Sequence, residues 1–183
     1  MLKNKLPLLT LFLLGTLSAN AQKYITKNGN VKFEASVPSF EEVAAESKST
    51  SAVFETSTGD FAALTLMKGF RFKVALMEEH FNENYVESDK YPKASFKGKV
   101  EDFDASKITA AEKTVIITGD LTLHGVTKKV SSTAKISKSD GAIKITGSFS
   151  VKPEDFGIEI PKIVSKKVAD KVSVDYNFLL NKQ

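Results

Sequence analysis

Few side chains in this sequence have the chemistry of a catalytic or metal-binding group, and their spacing does not assemble a site. There are two histidines, His80 and His124, and no cysteine. His80 follows Glu78 and Glu79, but zinc sites use three or four spaced nitrogen, sulfur or carboxylate ligands. We therefore expect no metal and no cofactor. His80 is interpreted as a packing or hydrogen-bonding residue at a helix end, and His124 as a turn residue.

The other carboxylates and the known catalytic motifs support the same expectation. Glu154 and Asp155 are adjacent, and adjacent strand or turn residues usually diverge, so we interpret both as solvated. Glu78 and Glu79 are interpreted in the same way. The sequence contains no nucleophile elbow, metalloprotease histidine pair, phosphate loop or dinucleotide fingerprint. An enzyme acting on lipid remains a third hypothesis without a nucleophile or acid–base pair, and we expect a protein that is not an enzyme.

The charge of the chain is small and dispersed. The 26 basic and 22 acidic residues give a formal net charge of +4. Nucleic-acid binding needs a clustered basic face, so we expect none. The pairs Lys128-Lys129 and Lys166-Lys167 are interpreted as ordinary solvent-facing lysines, with transient contact with a membrane surface as the alternative.

Residues 1–21 have the pattern of a secretory signal peptide. Lys3 and Lys5 precede an apolar run from Leu6 to Leu17, and Ala19-Asn20-Ala21 forms an A-x-A pattern. The run is shorter than the roughly 20 apolar residues of a spanning helix. We expect one mature domain over residues 22–183, periplasmic or secreted, as a monomer or homodimer, and without disulfides because cysteine is missing.

The elements that position any site are predicted to be strands, because apolar and polar residues alternate through most of the mature chain. Ala75–Tyr85 breaks this pattern with helix formers that place Met77, Phe81 and Tyr85 on one face, and residues 86–91 and 153–167 are irregular. We expect eight or nine antiparallel strands with a short helix near residues 75–85. Alternation alone fits either a closed barrel or a two-sheet sandwich. Runs with clear alternation begin near Val31, Phe70, Ala94, Val115, Val130, Ile143 and Val172, and less regular runs cover Thr50–Thr56 and Phe61–Met67.

The apolar face of these strands is rich in aromatic rings. An eight-stranded barrel is just wide enough for packed side chains or for one small ligand. Gly98, Gly119 and Gly147 share this face, where small residues either leave room for a ligand or mark bends. The interior therefore either holds a lipid-like ligand or is filled, as in a structural or stress-response envelope module without ligand. The residues assigned to this face as candidate ligand contacts are Phe33, Phe70, Phe72, Phe96, Leu121, Phe149, Tyr176 and Phe178.

Three motifs resemble those of the YceI-like family, and all occur in family order. They are the hairpin GDLTLHGVTK at Gly119–Lys128, the passage from His80-Phe81 to YPKASF at Tyr91–Phe96, and DFGI at Asp155–Ile158. The resemblance implies an all-β, eight-stranded antiparallel lipocalin-like barrel with a short helix, located outside the cytoplasm. It also implies that the barrel binds a polyisoprenoid or a similar amphiphilic chain, as carrier or sequestering protein. Residues that the resemblance places along or above the cavity are Phe81, Phe96, Leu121, Phe156 and Phe178.

Overall fold

A computed structural model describes residues 22–183, so the predicted signal peptide, residues 1–21, lies outside the described residues. The described chain consists mainly of strands, with one short α-helix, α1 (Ala75–His80). The strands are β1 (Lys23–Ser36), β2 (Ala44–Glu55), β3 (Asp60–Leu66), β4 (Arg71–Phe72), β5 (Lys93–Val100), β6 (Lys113–Leu123), β7 (Val126–Ser139), β8 (Ala142–Val151) and β9 (Val168–Lys182).

The strands form one closed antiparallel sheet. They follow the order β1-β9-β8-β7-β6-β5-β3-β2, and β1 also pairs with β2, so the sheet returns to its first strand. The two-residue strand β4 is an addition to β2 and not part of the ring. The prediction of an eight-stranded antiparallel barrel is confirmed, and the β1–β2 pairing is the contact that distinguishes it from a sandwich.

Two strands differ from the alternation-based prediction. The run from Phe70 to Val74 contains only the short β4, because the chain then crosses the end of the barrel and enters α1. The alternation from Phe70 to Val74 therefore indicates which side chains face the interior. The backbone of this segment pairs with β2 only at Arg71 and Phe72. In contrast, β2 begins six residues before the predicted Thr50. Its inward positions Ala45 and Ser47 are fully buried but too small to show an apolar pattern.

The connections between strands alternate between two ends of the barrel. We call the end that carries α1 the mouth, and it receives the connections of residues 37–43, 67–92, 124–125 and 152–167. The opposite end, the base, receives those of residues 56–59, 101–112 and 140–141. Irregular structure is therefore concentrated at the mouth.

The helix predicted over residues 75–85 is present, as α1 followed by a wider π-helical turn, Phe81–Tyr85. Glu78 fastens it to the barrel: one carboxylate oxygen accepts from the Arg71 Nη1 at 3.1 Å, and the other from the Phe72 backbone N–H at 3.1 Å. The interpretation of Glu78 as a solvated residue was therefore wrong. A carboxylate that is held by two donors at once fixes the direction in which the helix leaves β4.

The base half of the barrel has a dense apolar core. Phe103, from the connection at residues 101–112, packs its ring edge-on against Phe54 with centroids 5.5 Å apart and so covers the base from below. The side chains of this core that are 2% exposed or less are Tyr24, Phe54, Val100, Ile117, Ala134, Ile136, Ile143, Ile145, Phe178 and Leu180. This half therefore supplies a densely packed core.

We predict that Phe96→Asp strongly destabilises the barrel. Phe96 points inward and packs against buried residues of both halves, so the substitution places a carboxylate in an apolar interior. We expect a loss of at least about 3 kcal/mol in the free energy of unfolding, measured by chemical denaturation. Lys97→Asn is the control, because Lys97 is exposed on the outer face of the same strand. Equal losses of stability in both variants would contradict the assignment of Phe96 to the inner face of β5 and Lys97 to the outer face.

Candidate ligand-binding cavity

The mouth half of the barrel encloses a cavity of about 470 Å³. This lies within the range of about 300–1,000 Å³ that is usual for small-molecule sites. Its walls are almost entirely apolar side chains from the strands and from the mouth connections. Of the candidate contacts predicted from the sequence, nine line it: Phe33, Phe70, Phe72, Phe81, Phe96, Leu121, Phe149, Tyr176 and Phe178.

Phe156 differs from this set. It lies in a 3₁₀ turn, Pro153–Phe156, and is only 1% exposed, but it is not among the cavity-lining residues. Its ring packs into the apolar cluster of the mouth half, where Ile158 is also buried. The expectation that Phe156 lines or caps the cavity is therefore corrected: it supports the wall from behind.

Four rings form the upper part of the wall, and we call them the mouth cluster: Phe33, Phe70, Phe72 and Phe81. Phe81 brings the π-helical turn into contact with the other three, at centroid distances of 5.1–5.8 Å. Phe33 also contacts Phe70 and Phe72 edge-on. Edge-on and tilted pairs are favourable arrangements for aromatic rings. The cluster thus joins β1, β4 and the turn after α1 into one side of the mouth.

Five other rings cross the barrel below the cavity, and we call them the floor: Phe96, Phe61, Phe178, Tyr176 and Phe149. Successive rings in this order lie 5.5–6.4 Å apart between centroids. Phe96 on β5 and Tyr176 on β9 come from strands that lie opposite each other in the ring of eight. The floor therefore separates the open mouth half from the packed base half.

Inward-facing glycines allow the floor rings to pack directly against the backbone of the barrel wall. The ring of Phe96 occupies the space where side chains at Gly98 and Gly119 would lie, and the Tyr176 hydroxyl occupies that of Gly147. The ring of Phe178 similarly covers Gly29. The sequence left open whether inward glycines make room for a ligand or mark bends. In the structure, the space beside each of these glycines is taken by an aromatic ring.

Two pairs of hydroxyl groups interrupt the apolar lining. Thr50 and Thr65 share a hydrogen bond of 2.9 Å between their Oγ1 atoms. Ser132 Oγ donates to the Ser148 carbonyl oxygen at 2.9 Å, so the Tyr176 hydroxyl at 2.8 Å donates to Ser132. Burial raises the pKa of Tyr176, and the bond to Ser132 offsets part of this effect. Tyr176 is therefore a neutral, anchored floor residue.

His124 fastens three segments of the mouth. It occupies the β6–β7 turn with a positive φ of 51°, followed by Gly125 at 75°, which suits a two-residue hairpin. Its Nδ1 donates to the Phe156 carbonyl oxygen at 3.1 Å, because a carbonyl oxygen can only accept. Its Nε2 makes a second hydrogen bond, with Glu87 Oε2 at 2.7 Å. Tyr91 contacts this ring edge-on, with centroids 4.5 Å apart.

Several cavity residues were missed by sequence reasoning. Phe61 was assigned to a strand but not to the site, although it is one of the five floor rings and lines the cavity. At the mouth, Phe40, Glu41, His80 and Lys167 also line the opening. Most of these lie outside the strands, where no alternation reports which way a side chain faces. His80 lies at the end of α1 as expected, but there it is exposed beside the opening.

Residues 22–183 lack both a metal-binding cluster and a membrane-spanning helix. That part of the chain contains no group of three or more His, Cys, Asp or Glu side chains arranged to hold a metal ion. It also contains no helix with the length and hydropathy needed to cross a membrane.

The chain matches a known protein-family model. The model of the family described as the YceI-like domain matches residues 20–180, which is nearly the whole chain. Among curated protein sequences, no significant match was found.

Solved structures with the same fold come from several bacteria. A polyisoprenoid-binding domain from Saccharophagus degradans, implicated in plant cell wall breakdown, aligns with a TM-score of 0.76 and 13% identity, covering 89% of this chain and 99% of its own. BcnA of Burkholderia cenocepacia aligns with a TM-score of 0.68 and 17% identity, covering 83% and 95%. The YCEI protein of Campylobacter jejuni aligns with a TM-score of 0.60 and 18% identity, covering 80% and 88%. At these identities the likeness shows the shared fold.

We predict that His124→Gln loosens the mouth. The substitution removes the ring that bonds both the Phe156 carbonyl and Glu87, and each typical hydrogen bond contributes about 0.5–1.5 kcal/mol. We expect a loss of about 2 kcal/mol in the free energy of unfolding by denaturant titration. His80→Gln is the matched control, because the His80 side chain is exposed. If both substitutions had the same small effect, His124 would not be a fastening residue.

Proposed function

The chain belongs to the YceI-like family, and we propose that it binds the hydrocarbon tail of an amphiphile inside its barrel. The ligand class is a polyisoprenoid or fatty-acid type chain. The Saccharophagus degradans domain of the same fold is named for binding a polyisoprenoid. The cavity of the present chain is an apolar space bounded by rings, which suits a hydrocarbon chain.

The observation that carries this proposal is the space between the mouth cluster and the floor. A filled barrel would bury these rings against each other, whereas Phe33, Phe96 and Phe149 face the interior and are only partly buried. Each methylene group moved from water into such a space contributes about 0.8 kcal/mol. A tail of ten methylenes would thus contribute about 8 kcal/mol before the costs of association, without needing polar contacts.

We propose binding and not catalysis as the activity. The two hydroxyl pairs of the lining each make a hydrogen bond within their own pair. Glu41, His80 and Lys167 lie at the opening. His124 is engaged by Phe156 and Glu87 behind the wall. No nucleophile with an adjacent base faces the cavity within the described residues, which is the arrangement that covalent or acid–base chemistry requires.

The first test is the identity of bound material. We expect native mass spectrometry of gently purified protein to show a co-purified amphiphile, and the lipid-free protein to bind a fluorescent fatty acid. A bare-chain mass under all conditions, together with no probe binding, would instead support the filled structural module.

A cavity-filling variant sharpens this test. Val130 lines the cavity on β7, and Lys129 beside it is exposed outside. Val130→Trp should weaken probe binding by about tenfold or more, because losing two buried methylenes already costs that much. Lys129→Trp should bind as the unmodified protein does.

We further propose that the protein acts in the periplasm or outside the cell, as a carrier or sequestering protein. The support is the pattern of residues 1–21, which favours export and cleavage before Gln22. Intact-mass measurement on protein from its native host tests this directly, since the processed chain would begin at Gln22. A chain that retained residues 1–21 would contradict it.

A carrier must exchange its cargo with membranes, and the mouth has features that suit transient contact with an anionic bilayer. Ile163 is 88% exposed, and Leu76 and Phe40 are also exposed at this end. The segment of residues 161–167 carries three lysines and no acid. Exposed apolar side chains beside lysines favour binding at an anionic interface. The three lysines, which we call the rim lysines, are Lys162, Lys166 and Lys167.

Vesicle binding tests this contact. Each basic residue near an anionic surface contributes about 1 kcal/mol, so replacing all three rim lysines by Gln should lower the affinity for anionic vesicles about a hundredfold. Neutral vesicles should show little difference. The matched control replaces three exposed lysines of the base half, Lys113, Lys138 and Lys144. Equal losses from both triple variants would indicate an effect of net charge and not of the mouth.

A further inference from the structure

We infer that the floor limits the buried part of a bound tail to about fifteen carbons, so that carbons beyond this number add no further affinity. This inference rests on the proposed function and specifies the length of tail that the cavity buries. It concerns the depth of the cavity, which the family assignment does not determine.

The floor closes the cavity because its rings come from opposite sides of the barrel. Phe96 and Phe61 extend from β5 and β3, and Phe178, Tyr176 and Phe149 extend from β9 and β8. The central contact is between Phe61 and Phe178, whose centroids are 5.6 Å apart. A chain entering from the mouth therefore meets a continuous series of rings.

The floor rings are also held in place from behind. The Phe96 ring lies against Gly98 and Gly119, Phe178 lies against Gly29, and the Tyr176 hydroxyl is bound to Ser132. Below them the base core is packed, with Ile143, Ile145 and Leu180 completely buried. A ring displaced by a longer tail would have to enter this core, and overpacking a core is destabilising.

The volume above the floor sets the number of carbons. A methylene group and a water molecule each occupy about 30 Å³. The cavity of about 470 Å³ therefore accommodates about fifteen such groups. The cavity is open at the mouth, so a longer tail is not excluded; its surplus carbons remain in water and add no burial.

A chain-length series measures this limit. Unbranched fatty acids of about 8 to about 24 carbons present the same headgroup, so differences in dissociation constant report the tail alone. We expect affinity to increase about fourfold per methylene up to about fifteen carbons and then to level off. Displacement of a fluorescent fatty acid from the lipid-free protein gives the values.

Two variants move the limit in opposite directions. Phe96→Ala removes a floor ring, so the plateau should begin at longer chains. Ala63→Leu adds volume at a cavity-lining position of β3, so the plateau should begin at shorter chains. Phe103→Ala is the matched control, because Phe103 packs at the base outside the cavity. Thermal unfolding of each variant confirms that binding is compared between folded proteins.

The outcomes separate this inference from the proposed function. If affinity continues to rise to the longest tails, or if neither floor variant moves the plateau, the length limit is wrong while tail binding stands. If no fatty acid or isoprenoid alcohol of any length binds the folded protein, the proposed function itself fails. A plateau that shifts with Phe96→Ala and Ala63→Leu but not with Phe103→Ala supports the floor as its cause.

Discussion

The pairing of β1 with β2 is the constraint on which the rest of the structure depends. Without it, the eight long strands would form an open sheet with two unpaired edges, and such edges tend to pair with other chains. With it, every inward side chain faces a common enclosed space. The pairing runs from Lys23 opposite Glu55 to Glu34 opposite Ala44, with irregular register near Gly29. The cavity, the floor and the base core all exist because this last contact closes the ring.

The interior is divided into a packed half and a hollow half. In the base half, branched aliphatic side chains and a few rings pack without solvent exposure, and Phe103 covers the end. In the mouth half, aromatic rings pack against each other along the wall and leave the centre open. The division follows from side-chain size and from the connections, because the helix and the turn at Phe156 are fastened to the mouth by Glu78 and His124. A hollow half is tolerated because the other half supplies the dense core.

Much of this arrangement could be predicted from the sequence, and the exceptions have physical explanations. Period-two alternation identified most inward residues, including Phe33 and Phe178, because a strand must place alternate side chains on opposite faces. It could not identify the start of β2, where Ala45 and Ser47 are buried but small. It also could not place Phe156, since a 3₁₀ turn has no two-residue period and a motif does not state which side of a wall a ring occupies. Whether the barrel was hollow depended on how closely the rings pack against the glycines of the wall, and the alternation pattern does not report that distance.

The closed base has a directional consequence. With the base packed, an amphiphile bound as proposed would enter tail first, and its headgroup would stay outside, near Glu41 and Lys167. The loaded protein would then shield the hydrocarbon tail from water and leave the polar headgroup accessible at the surface. Other proteins could recognise or modify that displayed group without the tail ever being released into water.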